Sequence, residues 1–387
     1  MKKRKIAALV LALALLTACG GEQGGKGDPA QKDDLSYQTT GLTRDQAVVL
    51  VNGDPITAEE YLFWLSNSVM MQEYYMGLPQ DEEGWAEVGA GIKADALEAA
   101  KLYRIIESKA AEYGAELTEE METTMAAELT QAIESQGGEE NFSAYLDAMC
   151  VSRKGFEEIN KVYYYNQALM AKLTELGELT PTQADLDAFV EEFLEAGGYY
   201  GAKHILIATR RQLEDGSYEE YSDEEKQKAY ELALNLRERL LEENDSEEVF
   251  DELMNEFSED GRNPETGALY APQGYTLVAS GQMVPEFEEG ALALKEGQVG
   301  DIVPTDYGYH IIMRIPVDDA PVRESAAEQV NESYMMNKLT QKWLDEAEVT
   351  AEPAYETIDV KDFYEKLTAL NEALHPAQTP EPTESGS

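Results

Sequence analysis

The chain is 387 residues long and carries 77 acidic against 30 basic residues, a net charge of −47, with only three histidines and two cysteines. Charge of that sign and size argues against nucleic acid and anionic lipid surfaces as partners. Between a polar start and a polar tail about 330 residues remain, enough for two domains with separate cores.

Taken in chain order, four basic residues (Lys2, Lys3, Arg4, Lys5) precede an apolar run from Ile6 to Leu16. The run is too short to span a membrane as a mature helix, so residues 1–18 read as a secretory signal peptide. Its end, Leu16-Thr17-Ala18-Cys19, resembles the bacterial lipobox. That resemblance implies cleavage before Cys19, lipidation of the cysteine, and anchorage in a lipid bilayer. Cys150 is then the one free thiol, which excludes a disulfide framework within the chain. It lies in a helical pattern and reads as a small core residue. The Gly-rich, polar residues 19–45 are expected to form a flexible tether, and the Pro-, Ser-, Thr- and Glu-rich residues 371–387 a disordered tail.

"QAVVLVNGDPITAEEYLFWL" (46–65) reads as a β-branched strand, a turn at Asn52-Gly53-Asp54-Pro55, and a helix opened by Thr57 and Glu60 as a capping box. To residue 198 the pattern is helical, rich in Ala, Glu, Leu and Met, with helix starts expected at Thr118, Ser143 and Thr182. The pattern changes at Tyr199. A strand (Ala202 to Ala208) leads to an acidic loop and two helices, Asp223 to Leu241 and Ser246 to Phe257. A Gly- and Pro-rich section, a short helix near Pro285 to Leu294 and two strands, Asp301 to Pro304 and Gly308 to Ile315, complete a β-α-α-α-β-β block over 199–317. That order predicts an α+β domain with an antiparallel sheet. Residues 318–370 are helical again and are expected to return to the first helical domain (46–198), which makes the block an insertion.

Two of the three histidines fall in this block, each inside an apolar strand: His204 in "GAKHILIAT" and His310 in "TDYGYHIIMRI". Side chains alternate along a strand, so His204 shares a face with Ala202, Leu206 and Ala208, and His310 with Ile312. If the strands are neighbours, both imidazoles meet on one surface. Two readings stand side by side: hydrogen-bonded core histidines, or a paired polar site. The block has no cysteine and no His-x-x-x-His spacing, which argues against metal, and no Gly-x-Ser-x-Gly elbow of a hydrolase. No cofactor is expected. "DGRNPETG" (260–267) lacks the spaced carboxylates of a calcium loop and reads as a turn. Arg210-Arg211, among Asp and Glu residues, reads as a solvated loop.

Residues 200–316 resemble the parvulin-type peptidyl-prolyl isomerase domain over its full length. The resemblance rests on "KHIL", "FDELMNEFSED", "GQMVPEFEEGALALKEGQVG" and "VPTDYGYHIIMRI" together. It implies that His204 and His310 are the family's paired active-site histidines, that Asp260 stands beside them, and that Thr305 and Tyr307 flank the second histidine. It further implies that Leu269, Met283 and Phe287 line an apolar pocket for the proline ring, with Gln282 preceding the methionine. Two departures are visible. The family's Gly-Gly-Asp-Leu-Gly stretch is "TGALY" (266–270) here, and the stretch from Leu269 to Met283 is longer than in compact parvulins.

The flanks, "VVLVNGDPITAEEY" and "QKWLDEAEV", resemble the PrsA/SurA chaperone group, and with the lipobox the whole chain is similar to PrsA-type foldase lipoproteins of Gram-positive bacteria. That implies an isomerase and chaperone anchored outside the cytoplasmic membrane. Its partners would be newly secreted, unfolded proteins with X-Pro bonds, and its helical domain would build a homodimer. The alternative is a holdase with an inactive parvulin fold. A solute-binding lipoprotein agrees with the anchor but not with the block.

Overall fold

The structure, a computed structural model, describes residues 34–376 except 214, 245 and 264. The expected signal peptide, Cys19, the expected tether as far as 33 and the expected tail from 377 lie outside the described residues. Within 34–45 the expected tether is replaced by a helix, α1 (Leu35–Thr40). Asp34 closes its first turn by accepting from Tyr37 N at 3.2 Å and takes Arg44 N at 3.1 Å, while Ser36 and Thr39 are buried. The capping aspartate decides the local structure here, not the Gly-rich composition before it.

β1 (Ala47–Val51) and β2 (Asp54–Thr57) form a hairpin with a two-residue turn, Asn52 and Gly53, both at positive φ (53° and 91°). The expected four-residue turn is thus shorter, because Asn-Gly satisfies the left-handed turn that strand twist favours. Pro55 sits in an edge strand, where its missing N–H is harmless. Four long helices and one short one follow: α2 (Ala58–Met76), α3 (Glu82–Tyr113), α4 (Glu119–Ser135), α5 (Glu139–Ala148) and α6 (Arg153–Leu176). Thr57 and Glu60 make the expected capping box, and Thr118 caps α4. Ser143 starts no helix; it lies inside α5, which begins after Gly137 and Gly138 at positive φ. Cys150 lies in the turn after α5 (φ 53°) rather than in a helix; it is buried, and burial pushes its thiol up to about 12.

α7 (Gln183–Ala196), opened by the Thr182 and Asp185 capping box, leads to β3 (Tyr200–Ala208), β4 (Arg210–Gln212) and β5 (Tyr218–Glu220). Then come α8 (Asp223–Glu242), α9 (Glu247–Phe257), β6 (Tyr275–Val278), α10 (Pro285–Leu292), β7 (Val303–Thr305), β8 (Gly308–Ile315) and α11 (Ala320–Gln329). The last elements among the described residues are α12 (Glu332–Glu346), β9 (Val349–Ala351), α13 (Pro353–Glu356) and α14 (Val360–Leu374). It forms two compact units: the residues up to Thr180 with those from Met335, and Pro181–Tyr334. The second unit is wider than the 199–317 block read from the sequence, because α7 and α11 pack together, with Arg323 bonded to Asp187 and Asp319.

In the first unit β9 pairs with β1, Val49 opposite Ala351, so the two ends of the chain share one three-stranded sheet, β2-β1-β9. Its core includes Tyr61, Leu62 and Leu65 of α2, Leu169 and Leu173 of α6, and Phe363 of α14. In the second unit the sheet order is β6-β3-β8-β7, antiparallel throughout. One face, with Ile205, Ile207, Ile311 and Met313, packs on Leu236 and Leu240 of α8 and Phe250 and Leu253 of α9. The other, with Tyr200, Ala202 and Ile312, packs on Phe287 and Ala291 of α10 and Val278 of β6. The α+β class is borne out; β6 and the β4–β5 hairpin are additions to the expected order. Among the described residues no helix is long and apolar enough to cross a membrane.

Candidate active site

β3 and β8 pair from Gly201 opposite Ile315 to Ala208 opposite Gly308. In that register His204 faces Ile312 and His310 faces Leu206, so the histidines lie diagonally on the sheet face that α10 covers. Two glycines hold this register. A Cβ on Gly308 (φ 148°) would stand 2.2 Å from Ile207 O, and one on Gly274 (φ 77°) 2.8 Å from Ala202 O. Only a bare backbone lets β8 and the entry to β6 approach β3 so closely.

Asp260 is delivered by the end of α9. Ser258 Oγ accepts from Leu206 N at 3.1 Å, and Glu259 N donates to Leu206 O at 2.8 Å, so the segment docks along β3. The Arg262 guanidinium ties the turn by donating to Ser258 O at 2.7 Å, Asn255 O at 2.7 Å and Gly267 O at 2.8 Å. These bonds explain why Phe-Ser-x-Asp is spaced as it is: the serine is the pin and the aspartate emerges opposite His204.

The polar groups form one chain. His204 Nδ1 and His310 Nδ1 are 2.8 Å apart; His204 Nε2 is 2.9 Å from Asp260 Oδ2, and His310 Nε2 2.9 Å from Thr305 Oγ1. Tyr307 N donates to Thr305 Oγ1 at 3.1 Å, and the Tyr275 hydroxyl to Asp260 Oδ2 at 2.6 Å. The carboxylate only accepts, which makes His204 Nε2 a donor. With both imidazoles neutral, His310 Nδ1 then donates to His204 Nδ1, and the Thr305 hydroxyl donates to His310 Nε2. Every group is satisfied, as buried polar groups require. The rings are nearly parallel (10°, centroids 5.0 Å apart), and Phe287 stands edge-on to both at 5.0 and 5.5 Å.

Both histidines are buried, at 6% and 5% exposure. Burial, and then the neighbouring His204 charge, push the His310 pKa down to about 3 against the pull of Asp260. Burial raises the Asp260 carboxyl, but the hydrogen bond and charge of His204, the Tyr275 hydroxyl and the His310 charge outweigh it and hold the carboxyl below its ordinary range. The Tyr275 phenol is raised by burial and by Asp260.

Of the other residues read from the sequence, Met283 packs with Phe287 in the same cluster. Leu269 does not: its pairing with Arg262 turns it into the opposite core, with Phe250 and Ile205. Gln282 accepts from Ala279 N at 2.9 Å and closes a turn. The Tyr307 side chain is 46% exposed and lies under the Arg210 guanidinium, which is also 4.4 Å from the Tyr218 ring centre. Arg210 is therefore no solvated loop residue, while Arg211 pairs with Glu219 and Glu225. "DGRNPETG" is a turn in which Asn263 Oδ1 accepts from Glu265 N and Thr266 N. Among the described residues no group of three or more His, Cys, Asp or Glu could hold a metal. Tyr275 was missed, since its place depends on a four-residue strand inside a Gly- and Pro-rich section.

Residues 204–315 match the family described as Rotamase: PPIC-type PPIASE domain, so fold and site define this block as a parvulin-type domain. Beyond it, the chain is similar to foldase protein PrsA of Caldanaerobacter subterraneus, 28% identical over 184 residues, 48% of this chain and 49% of that protein. Foldase protein PrsA 2 of Listeria innocua is 35% identical over 120 residues, 30% of this chain and 40% of its own length. The chain thus spans half or less of the length of these two relatives. The PrsA crystal structure from Bacillus cereus is 17% identical and aligns over 84% of this chain and 99% of its own at a TM-score of 0.23. The resemblance to PrsA-type parvulin foldases is borne out by the family match and these relatives.

Proposed function

We propose that the chain is a membrane-anchored, extracytoplasmic foldase that catalyses cis–trans isomerisation of X-Pro bonds in secreted proteins and holds unfolded clients with its helical unit. Lipidated Cys19 is the anchor in this reading, and newly secreted polypeptides are the clients. The observation that carries it is the buried His204–His310 pair, joined to Asp260 and Thr305 and covered by Phe287.

An X-Pro bond crosses a barrier of about 18–20 kcal/mol because twisting the amide breaks its resonance. No bond has to be cleaved. The proline ring would lie against Phe287 and Met283, where water is excluded and the polar planar amide is disfavoured relative to the twisted one. His310 is held neutral, chiefly by burial, and the pair is fixed in orientation by its hydrogen bonds to Asp260 and Thr305. Asp260 orients His204 and needs no covalent role.

The placement of Leu269 in the opposite core favours a second reading, a holdase whose parvulin fold does not catalyse. The deciding experiment follows proline isomerisation by the whole chain on X-Pro peptides, beside His310→Ala and Asp260→Ala. Turnover that falls in both variants supports catalysis here. No turnover from the folded wild type moves the assignment to the holdase.

A further inference from the structure

The polar chain ends in a group that the histidine pair alone does not require. Tyr275 is the first residue of β6, half-buried, with its ring centre 5.7 Å from that of His204. Its hydroxyl meets the same carboxylate oxygen, Asp260 Oδ2, that faces His204 Nε2, at 2.6 Å against 2.9 Å. Gly274 lets the strand start against β3.

We propose that Tyr275 is a positioning residue of the isomerase site, one that holds Asp260 as a fixed acceptor and thereby sets the direction of hydrogen bonding through His204, His310 and Thr305. The argument rests on the isomerase reading given above, but its physical core is independent of it. An aspartate that meets one imidazole only can rotate about χ2 or take up a proton and become a donor. Rotation removes the acceptor that fixes the His204 tautomer, and protonation reverses it, so that either one releases the direction of the bond between the two Nδ1 atoms. A second donor on Oδ2 opposes both changes, because each would cost a charge-assisted hydrogen bond. The ring of Tyr275 also covers one side of His204, as Phe287 covers both imidazoles from another.

The titratable groups facing Asp260 are His204 from β3, His310 from β8 and Tyr275 from β6. Nearby Arg262 is turned to backbone carbonyls of its own turn and of α9, and Glu259 to Ala208 N. Tyr275 is thus the one facing group whose removal leaves the imidazoles in place.

Tyr275→Phe keeps the ring and removes the hydroxyl. In the whole chain, the carboxyl carbon signal of Asp260, followed by NMR across pH 2–7, should titrate about one pH unit higher than in wild type. The acid limb of kcat/KM for X-Pro peptides should move up by the same amount, with KM little changed. Tyr275→Leu, which also removes the ring, should show the same displacement and a raised KM. An Asp260 midpoint that does not move in Tyr275→Phe overturns the proposal, whether or not the rate falls. If the wild type lacks turnover, the isomerase reading fails by itself, while the Asp260 titration still decides what Tyr275 does.

Discussion

His310 should remain uncharged in the folded chain far below the pH at which a free imidazole protonates. Its pKa is pushed down from 6.5 to about 3, chiefly by burial and then by the charge of His204. The native state therefore binds fewer protons than the unfolded chain between pH 3 and 6.5, so stability is present above 6.5 and drains away as pH falls. Linkage puts the loss between pH 7 and pH 5 at about 2 kcal/mol for this residue, and about 5 kcal/mol in the limit below pH 3. Asp260, also held below its ordinary value, acts in the same direction at lower pH. With only three histidines in the chain, imidazole nitrogen NMR can resolve the site. His310 should appear as a neutral imidazole from pH 8 to about pH 4, and as its Nδ1–H tautomer wherever His204 Nδ1 is the acceptor between them. All three tryptophans, Trp64, Trp85 and Trp343, belong to the other unit, so urea unfolding must be read from β3 and β8 amide signals. The 2 kcal/mol slope should disappear in His310→Asn. A His310 imidazole that titrates near 6.5 would refute this account of the site.

Three further outcomes follow from the geometry. Gly308→Ala puts a Cβ 2.2 Å from Ile207 O and should destabilise the Pro181–Tyr334 unit by more than about 2 kcal/mol, seen as lost amide protection along β3 and β8; unchanged protection would contradict the close approach. Phe287→Leu keeps the core apolar but removes the ring that covers both imidazoles, so KM for X-Pro peptides should rise several-fold while the His310 tautomer signal persists. Cys19→Ser should move the chain from the membrane fraction to the soluble fraction of the expressing cells, and a variant that stays with the membrane would rule out the cysteine as anchor.

The parts of this protein legible in its sequence are those in which a local pattern and the tertiary arrangement ask for the same thing. Strand alternation put His204 and His310 on defined faces before their pairing was known, and Thr57, Thr118 and Thr182 announce their helices because a cap is a local bond. Ser143 failed as a start since the glycine pair at 137–138 had already set the backbone. Leu269 and Tyr275 failed for a different reason. Which core takes Leu269 is decided by a bridge to Arg262, and Tyr275 gains its role only when β6 pairs with β3, contacts that no window of the sequence contains. The two departures from the family pattern, "TGALY" and the longer stretch that follows, flank these same two residues. Leu269 packs in the core of Phe250 and Ile205, and Tyr275 brings its hydroxyl to Asp260. The Asp260 side of the site therefore left no local trace, since the hydroxyl of Tyr275 meets Asp260 only through tertiary pairing, whereas the His204–His310 side showed itself in strand alternation.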